Sequence, residues 1–180
     1  MRVITGFARG RRLETLPGEE VTRPTSQATK EALFSSIQFE LEGKRVLDLF
    51  AGCGQLGIEA LSRGAAVCTF VDNNRSAVKI VEQNVKHCQL DDKANIVFSD
   101  AFAFLMRGGT FDIAFVDPPY KEGLYQECLN KLESHMSDEG VIICESLNRE
   151  QLPDKLDTFT KVREKKYGKS KLTYYRKVNE

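Results

Sequence analysis

From Lys44 onward, short unbroken apolar runs alternate with longer stretches in which apolar residues recur every three or four positions. The short runs are too brief for helices and too apolar for half-exposed strands, so they predict strands buried on both faces. These are Arg45–Phe50, Val67–Val71, Asn95–Phe98, Phe111–Val116 and Val141–Cys144. Between them the spacing predicts helices over Gln55–Arg63, closed by Gly64, and Arg75–Cys88, with Val78, Val81 and Val85 on one face. It predicts two more over Ala101–Met106 and Leu124–Met136, and a short helical piece near Arg149–Leu152. Two β-rich runs, Phe159–Tyr167 and Leu172–Val178, flank Gly168-Lys169-Ser170 as a closing hairpin. Upstream, Pro24 and Thr25 open a helix whose Leu33, Ile37 and Leu41 recur at spacing four until Gly43. Residues 1–22, rich in Gly and Arg with brief apolar pieces (Val3-Ile4, Leu13, Leu16), read as an arm or small hairpin outside the core.

Strands alternating with helices predict an α/β fold, a mostly parallel sheet covered on both faces with an antiparallel C-terminal hairpin. At 180 residues the chain is expected to be a single domain, residues 44–180 forming the sheet core. Ligands of such sheets bind outside the carboxyl ends of the strands. Asp48, Asp72, Asp100 and Asp117 all fall at those ends. Four carboxylates on one rim are unlike an ordinary solvated face.

Net charge is zero but unevenly spread: residues 1–30 carry +3, residues 161–180 carry +6 and the rest −9. Basic ends on an acidic middle suggest an anionic partner gripped by the termini; frayed, solvated ends are the plain alternative. The five cysteines (53, 68, 88, 128 and 144) show no C-x-x-C and no pattern with His87 or His135. They are expected to be reduced thiols, with no metal and no disulfide. No apolar run approaches the roughly 18 residues of a membrane span, and the N-terminus has no secretory h-region, so a cytoplasmic protein is expected.

Gly52-Cys53-Gly54-Gln55-Leu56-Gly57 matches G-x-G-x-x-G between a strand and a helix, and Asp72 follows at the next strand end, placed for a ribose diol. That alone permits NAD. Asp48 argues otherwise, because a carboxylate beside the glycine loop repels a pyrophosphate but suits the α-ammonium of S-adenosylmethionine. The candidate cofactor residues are Asp48, Phe50, Ala51, Gly52, Gly54, Asp72, Asn73, Asp100, Ala101 and Asp117. Asp100 has two roles open to it, acceptor for an adenine amine and N-cap of the following helix.

Asp117-Pro118-Pro119-Tyr120 ends the fourth strand. An exocyclic base amine is a poor nucleophile because its lone pair is conjugated into the ring. The Asp117 carboxylate and Pro118 carbonyl are suited to accept its hydrogens and aim the lone pair at a methyl group, Pro119 to stiffen the loop, and Tyr120 to stack on the base. The plain alternative is a rigid turn after a buried strand. No cysteine adjoins a proline as covalent ring-carbon methylation would suggest.

Over nearly its whole length the chain resembles the class I methyltransferases of guanine N2 in 16S ribosomal RNA, the small single-domain kind acting at guanine-966. The resemblance is carried by Ile4-Thr5-Gly6, Gly10-Arg11-Arg12-Leu13, Arg23-Pro24-Thr25, Lys30–Phe34, Leu47–Gly52, Gly57–Ala65, Asp117–Tyr120 and Tyr167-Gly168. Cys53 and Asp72 depart from it, where Ser and Glu are frequent. It implies a seven-stranded Rossmann-like sheet, S-adenosylmethionine, and 16S rRNA in an assembled small subunit as substrate. The protein is expected to be a monomer. The candidate RNA contacts are Arg9, Arg11, Arg12, Arg23, Thr25, Lys165, Lys166, Lys169 and Lys171. The target base would leave its stack to reach Tyr120. Adenine-N6 methylation of RNA or DNA is the nearest rival, since the loop does not separate two conjugated amines. An NAD oxidoreductase and a non-catalytic RNA-binding module are rivals from other classes.

Overall fold

The computed structural model describes residues 1–18, 26–119 and 123–178. Among them are seven strands: β1 (Arg45–Asp48), β2 (Val67–Asp72), β3 (Ala94–Phe98), β4 (Phe111–Val116), β5 (Met136–Leu147), β6 (Phe159–Tyr167) and β7 (Ser170–Lys177). The helices are α1 (Gln27–Ser36), α2 (Gln55–Ser62), α3 (Arg75–His87), α4 (Ala101–Leu105) and α5 (Leu124–Leu132). One sheet runs β3-β2-β1-β4-β5-β7-β6, parallel except that β7 is antiparallel to both neighbours. This is the α/β sheet with a closing hairpin that the alternating pattern predicts.

Successive strand residues enter opposite cores. Val46, Phe70, Phe115 and Ile143 pack on the side of α1, α2 and α3, while Leu47, Val71, Val116 and Cys144 pack with α4 and α5. That is why the central strands read as unbroken apolar runs. Helix α2 lies close on β2, because a Cβ at Gly57 would come within 2.3 Å of the Phe70 ring and 2.6 Å of Cys68 Sγ. The third glycine of the loop motif thus serves helix–strand packing.

Four expectations need correction. Helix α1 stops at Ser36, not near Gly43. The Ser36 hydroxyl bonds back to the Leu33 carbonyl and to Tyr174, and Ile37 and Leu41 are buried from a turn instead. The predicted start at Pro24 and Thr25 lies outside the described residues. No helix forms at Arg149–Leu152: the chain turns there, and Pro153 disfavours helical backbone before it. Strand β5 starts at Met136, well before Val141, with a bulge between those two residues opposite Phe111 to Ile113, and its polar first half hides it from a pattern search.

The fourth correction concerns the N-terminus. Residues 1–13 form a hairpin closed by Val3 N–H to Arg11 O and Gly10 N–H to Val3 O, and its Val3, Ala8 and Leu13 belong to the core. Glu59 on α2 fixes it: the fully buried carboxylate accepts from the N–H groups of Ile4 (2.9 Å) and Thr5 (3.0 Å) and pairs with Lys30 (3.0 Å) and Arg63 (2.9 Å). Lys30 in turn donates to the Arg2 carbonyl. Gly6 lies so close to the Ser62 carbonyl, at φ +89°, that no side chain fits. Among the described residues, no helix is long and apolar enough to cross a membrane.

Candidate active site

The carboxyl ends of β1 to β4 form one rim, with Asp48 ending β1, Asp72 ending β2, and Asp100 and Asp117 just beyond β3 and β4. Between β1 and α2 the chain continues the sheet's pairing through Leu49 N–H to Phe115 O and Ala51 N–H to Val71 O. It then turns through Gly52 (φ 57°) and Gly54 (φ 82°), left-handed conformations that glycine adopts without strain. Asp72 holds this loop in place: one carboxylate oxygen accepts from Gly52 N–H and the other from Asn74 N–H, each at 2.9 Å.

Asp48 has a role different from the expected one. It is buried, and Oδ2 accepts at 3.0 Å from the N–H of Gly57 in the first turn of α2. It therefore anchors that turn from below and does not line the adjoining cleft. A pyrophosphate is still disfavoured here, since a helix N–H that could hold phosphate already serves a carboxylate.

A cleft of about 400 Å³ opens beside the loop. Of the candidate cofactor residues, Phe50, Gly52, Asp72, Asn73, Asp100 and Ala101 line it; Ala51, Gly54, Asp48 and Asp117 do not. Asp100 caps α4 through Oδ1, which accepts from Phe102 and Ala103, and this leaves Oδ2 for a ligand. Pro119 and Leu124 form the wall toward β4, so the loop after Asp117 abuts the cleft. Tyr120 lies outside the described residues, as do Arg23 and Thr25.

Several residues in and around this site escaped the sequence reading, Leu16 and Asn84 among them. Leu16 closes one side of the cleft. Asn84, buried on α3, explains its placement: it accepts from Glu14 N–H and donates to the carbonyls of Glu14 and Cys53, each within 2.9 Å. One amide thus ties the N-terminal segment to the glycine loop. Nothing in a helical pattern distinguishes it from an ordinary polar position.

The basic ends separate. The tip of the β6–β7 hairpin pairs with the end of β5 at Leu147, so the exposed Lys165, Lys166 and Lys169 stand on the carboxyl rim. Lys171 is buried against Glu164 (3.3 Å), which withdraws it from the surface. Helices α2 and α3 run back against the parallel strands, so their last turns lie at the opposite rim. The N-terminal hairpin docks there, with Phe7 N–H on Ser62 O and the Arg11 guanidinium on His87 O (2.6 Å) and Gln89 (3.2 Å). Arg11 is thereby held at the C-terminal end of α3, whereas Arg12 lies within about 14 Å of Leu16 in the cleft wall, four residues along the chain. Arg11 acts as a latch on α3.

All five cysteines are buried and none forms a disulfide, and burial pushes the Cys128 thiol up to about 12. They pack as small hydrophobes.

A sheet of this order with a glycine-loop cleft and Asp-Pro-Pro at the neighbouring strand end defines the class: a methyltransferase of the Rossmann-like α/β type. The family model described as "Conserved hypothetical protein 95" matches residues 1–176, and the chain belongs to that family. It is 36% identical over 180 residues to "Ribosomal RNA small subunit methyltransferase D" of Escherichia coli K12, covering 98% of this chain and 90% of that protein. It is 37% identical over 183 residues to "Putative rRNA methyltransferase YlbH" of Bacillus subtilis, covering 98% and 99%. The solved "Putative methyltransferase yhhF from Escherichia coli" superposes with a TM-score of 0.89 at 34% identity, covering 100% of this chain and 99% of that one.

Proposed function

We propose that the protein transfers a methyl group from S-adenosylmethionine to the exocyclic N2 amine of a guanine in 16S ribosomal RNA, at guanine-966 of the small subunit. The observation that carries this reading is the Asp117-Pro118-Pro119 loop at the end of β4, whose Pro119 walls a cleft of small-molecule size on the carboxyl rim. The family relatives named for small-subunit rRNA methylation support the substrate class.

The residues present fit the cofactor. The cleft's volume lies in the range of small-molecule sites. Asp72 and Asp100 keep lone pairs for ribose hydroxyls and an adenine amine after their backbone bonds, and Phe50, Phe102 and Leu16 supply apolar walls. Gln55 Oε1, buried at the first position of α2, has no hydrogen-bond partner, and an acceptor of that kind suits an ammonium group. When bound, S-adenosylmethionine supplies an electrophilic methyl on a good leaving group. The protein's own part is then to hold the amine: Asp117 and the Pro118 carbonyl accept its hydrogens, and the buried ring of Pro118 fixes the direction of that carbonyl. Lys165, Lys166 and Lys169 meet phosphates beside the entering base. We propose that the protein acts as a cytoplasmic monomer.

Incubation of unmodified small subunits with the protein and methyl-labelled S-adenosylmethionine, followed by nucleoside mass spectrometry, tests the reading. Labelled N2-methylguanosine is expected. Labelled N6-methyladenosine would keep the mechanism and overturn the base.

A further inference from the structure

At the β3 edge of the sheet, the carboxyl rim carries an aromatic ring and a cation that the cofactor site does not use. Phe98 ends β3 with 46% of its surface exposed. Arg75, the first residue of α3, lays its guanidinium over that ring, 4.5 Å from the centroid. The pair stands at the mouth of the cleft. Asn73 and Asn74, just before Arg75, line the cleft, and so do Ser99 and Asp100, just after Phe98. Phe98 and Arg75 themselves do not line it, so they face outward beside the cofactor's place.

Folding gives little reason for this arrangement. Ala94 and Ile96, on the same side of β3, pack against the core, whereas Phe98, next in that alternation, leaves nearly half its surface in water. Among the described residues Arg75 forms no ion pair, so its charge stays open to an anion. The start of α3 is not the source of that charge, because the N–H groups of Ser76 and Ala77 already serve the Asn74 side chain. A nucleobase stacks on an aromatic ring or a guanidinium plane while its phosphate meets the cation. Bases inside a duplex have both faces covered by their neighbours, so the fitting partner is an unpaired nucleotide.

The sheet order sets where that nucleotide lies. Strand β3 is three places from β4, about 14 Å at ordinary strand spacing, and Asp117 follows β4. The β6–β7 lysines lie on the other side of Asp117. Resting on the RNA-methylation reading above, we propose that Phe98 and Arg75 form a stacking shelf for an unpaired nucleotide of the substrate RNA, on the flank of the target base opposite the lysines. The ring grips any base, and Arg75 adds a phosphate contact.

The chain contains no tryptophan, so Phe98→Trp places a single fluorescent reporter on the shelf. A single-stranded oligoribonucleotide is expected to quench it, and S-adenosylmethionine alone to leave it unchanged. Phe98→Leu keeps apolar bulk and removes the ring. It is expected to weaken binding to unmodified small subunits by about 5- to 100-fold, with salt dependence and S-adenosylmethionine affinity unchanged. Arg75→Gln is expected to weaken binding and to lower the slope of log affinity against log salt by about one. Quenching by S-adenosylmethionine alone would assign the pair to the cofactor and overturn the proposal. No quenching by RNA, or unaltered RNA binding in Phe98→Leu, would overturn it too. Wild-type labelling of guanine N2 scores the underlying reading separately: quenching without labelling would sink methylation and keep the RNA shelf, and labelling without quenching would do the reverse.

Discussion

Glu59 joins three parts of the molecule, and removing its charge should show how firmly. The carboxylate is fully buried and meets four donors: the N–H groups of Ile4 and Thr5, Arg63 Nε and Lys30 Nζ. Lys30 is fully buried as well. Burial lowers the Lys30 pKa, and the attraction of Glu59 opposes that shift. In Glu59→Gln the ammonium loses its counter-charge but stays out of water. Breaking one side of a buried pair costs about 3–5 kcal/mol. In a chain of this size each kcal/mol moves the melting temperature by roughly 2–4 °C, so a drop of about 10 °C is expected at pH 7. The pH dependence follows from linkage. A lysine whose folded pKa lies below its unfolded value binds fewer protons folded than unfolded, so stability rises with pH in that window. The deficit of Glu59→Gln should therefore shrink between pH 7 and pH 9. Lys30→Met added to Glu59→Gln removes the stranded charge and should recover part of the loss. Thermal and urea melts give the energies, and hydrogen exchange at Ile4 and Thr5 reports on the hairpin. A loss under about 1 kcal/mol, or a double variant weaker than Glu59→Gln alone, would refute the account of a buried ionic hub.

Gly57→Ala should destabilise by about 1–3 kcal/mol in a urea melt, since its Cβ meets the Phe70 ring and Cys68 at less than contact distance. Asn84→Ala leaves Glu14 N–H and the Cys53 carbonyl without their partner, and should cost about 2–4 kcal/mol in stability and weaken S-adenosylmethionine binding in calorimetry. Asp112 sits in a bidentate pair with Arg45, whose hydrogen bonds hold its carboxyl well below the usual range. Its contribution is fully present above the ordinary carboxylate range and declines as pH falls toward the depressed folded value, so Asp112→Asn should lower the melting temperature at pH 7 by more than at pH 2. Asp117→Ala should abolish methyl transfer to the base with S-adenosylmethionine affinity retained, because Asp117 lies beside the cofactor cleft without lining it.

The strand and helix order was legible because both cores press on the central strands and leave few polar positions to blur them. Strands β4 and β6 match their predicted bounds. Reading failed where tertiary contacts override local pattern. The polar start of β5 is a strand only because β4 is there to pair with it, and α1 ends early because Ser36 has Tyr174 to bond. The N-terminal segment was read as an arm or small hairpin outside the core because its anchor, Glu59, lies 55 residues away from Ile4.

The same limit divides the carboxylates of the rim. All four aspartates could be placed there from strand ends alone, yet sequence does not tell a carboxylate that meets a ligand from one that holds the loop around it. Asp48 and Asp72 look alike in the pattern. One is spent beneath α2, whereas the other braces Gly52 from the edge of the cleft with lone pairs to spare. The basic ends divide in the same way. They are equal as composition, but the helices between them carry Arg11 to the far rim and the β6–β7 lysines to the near one. Charge reversal at Lys165 and Lys166 should therefore weaken RNA binding with a shallower salt dependence. Reversal at Arg11, whose guanidinium is held by His87 and Gln89 at the end of α3, should alter it far less. Equal effects at both ends, measured by filter binding across a salt series, would mean that the RNA wraps the whole height of the sheet.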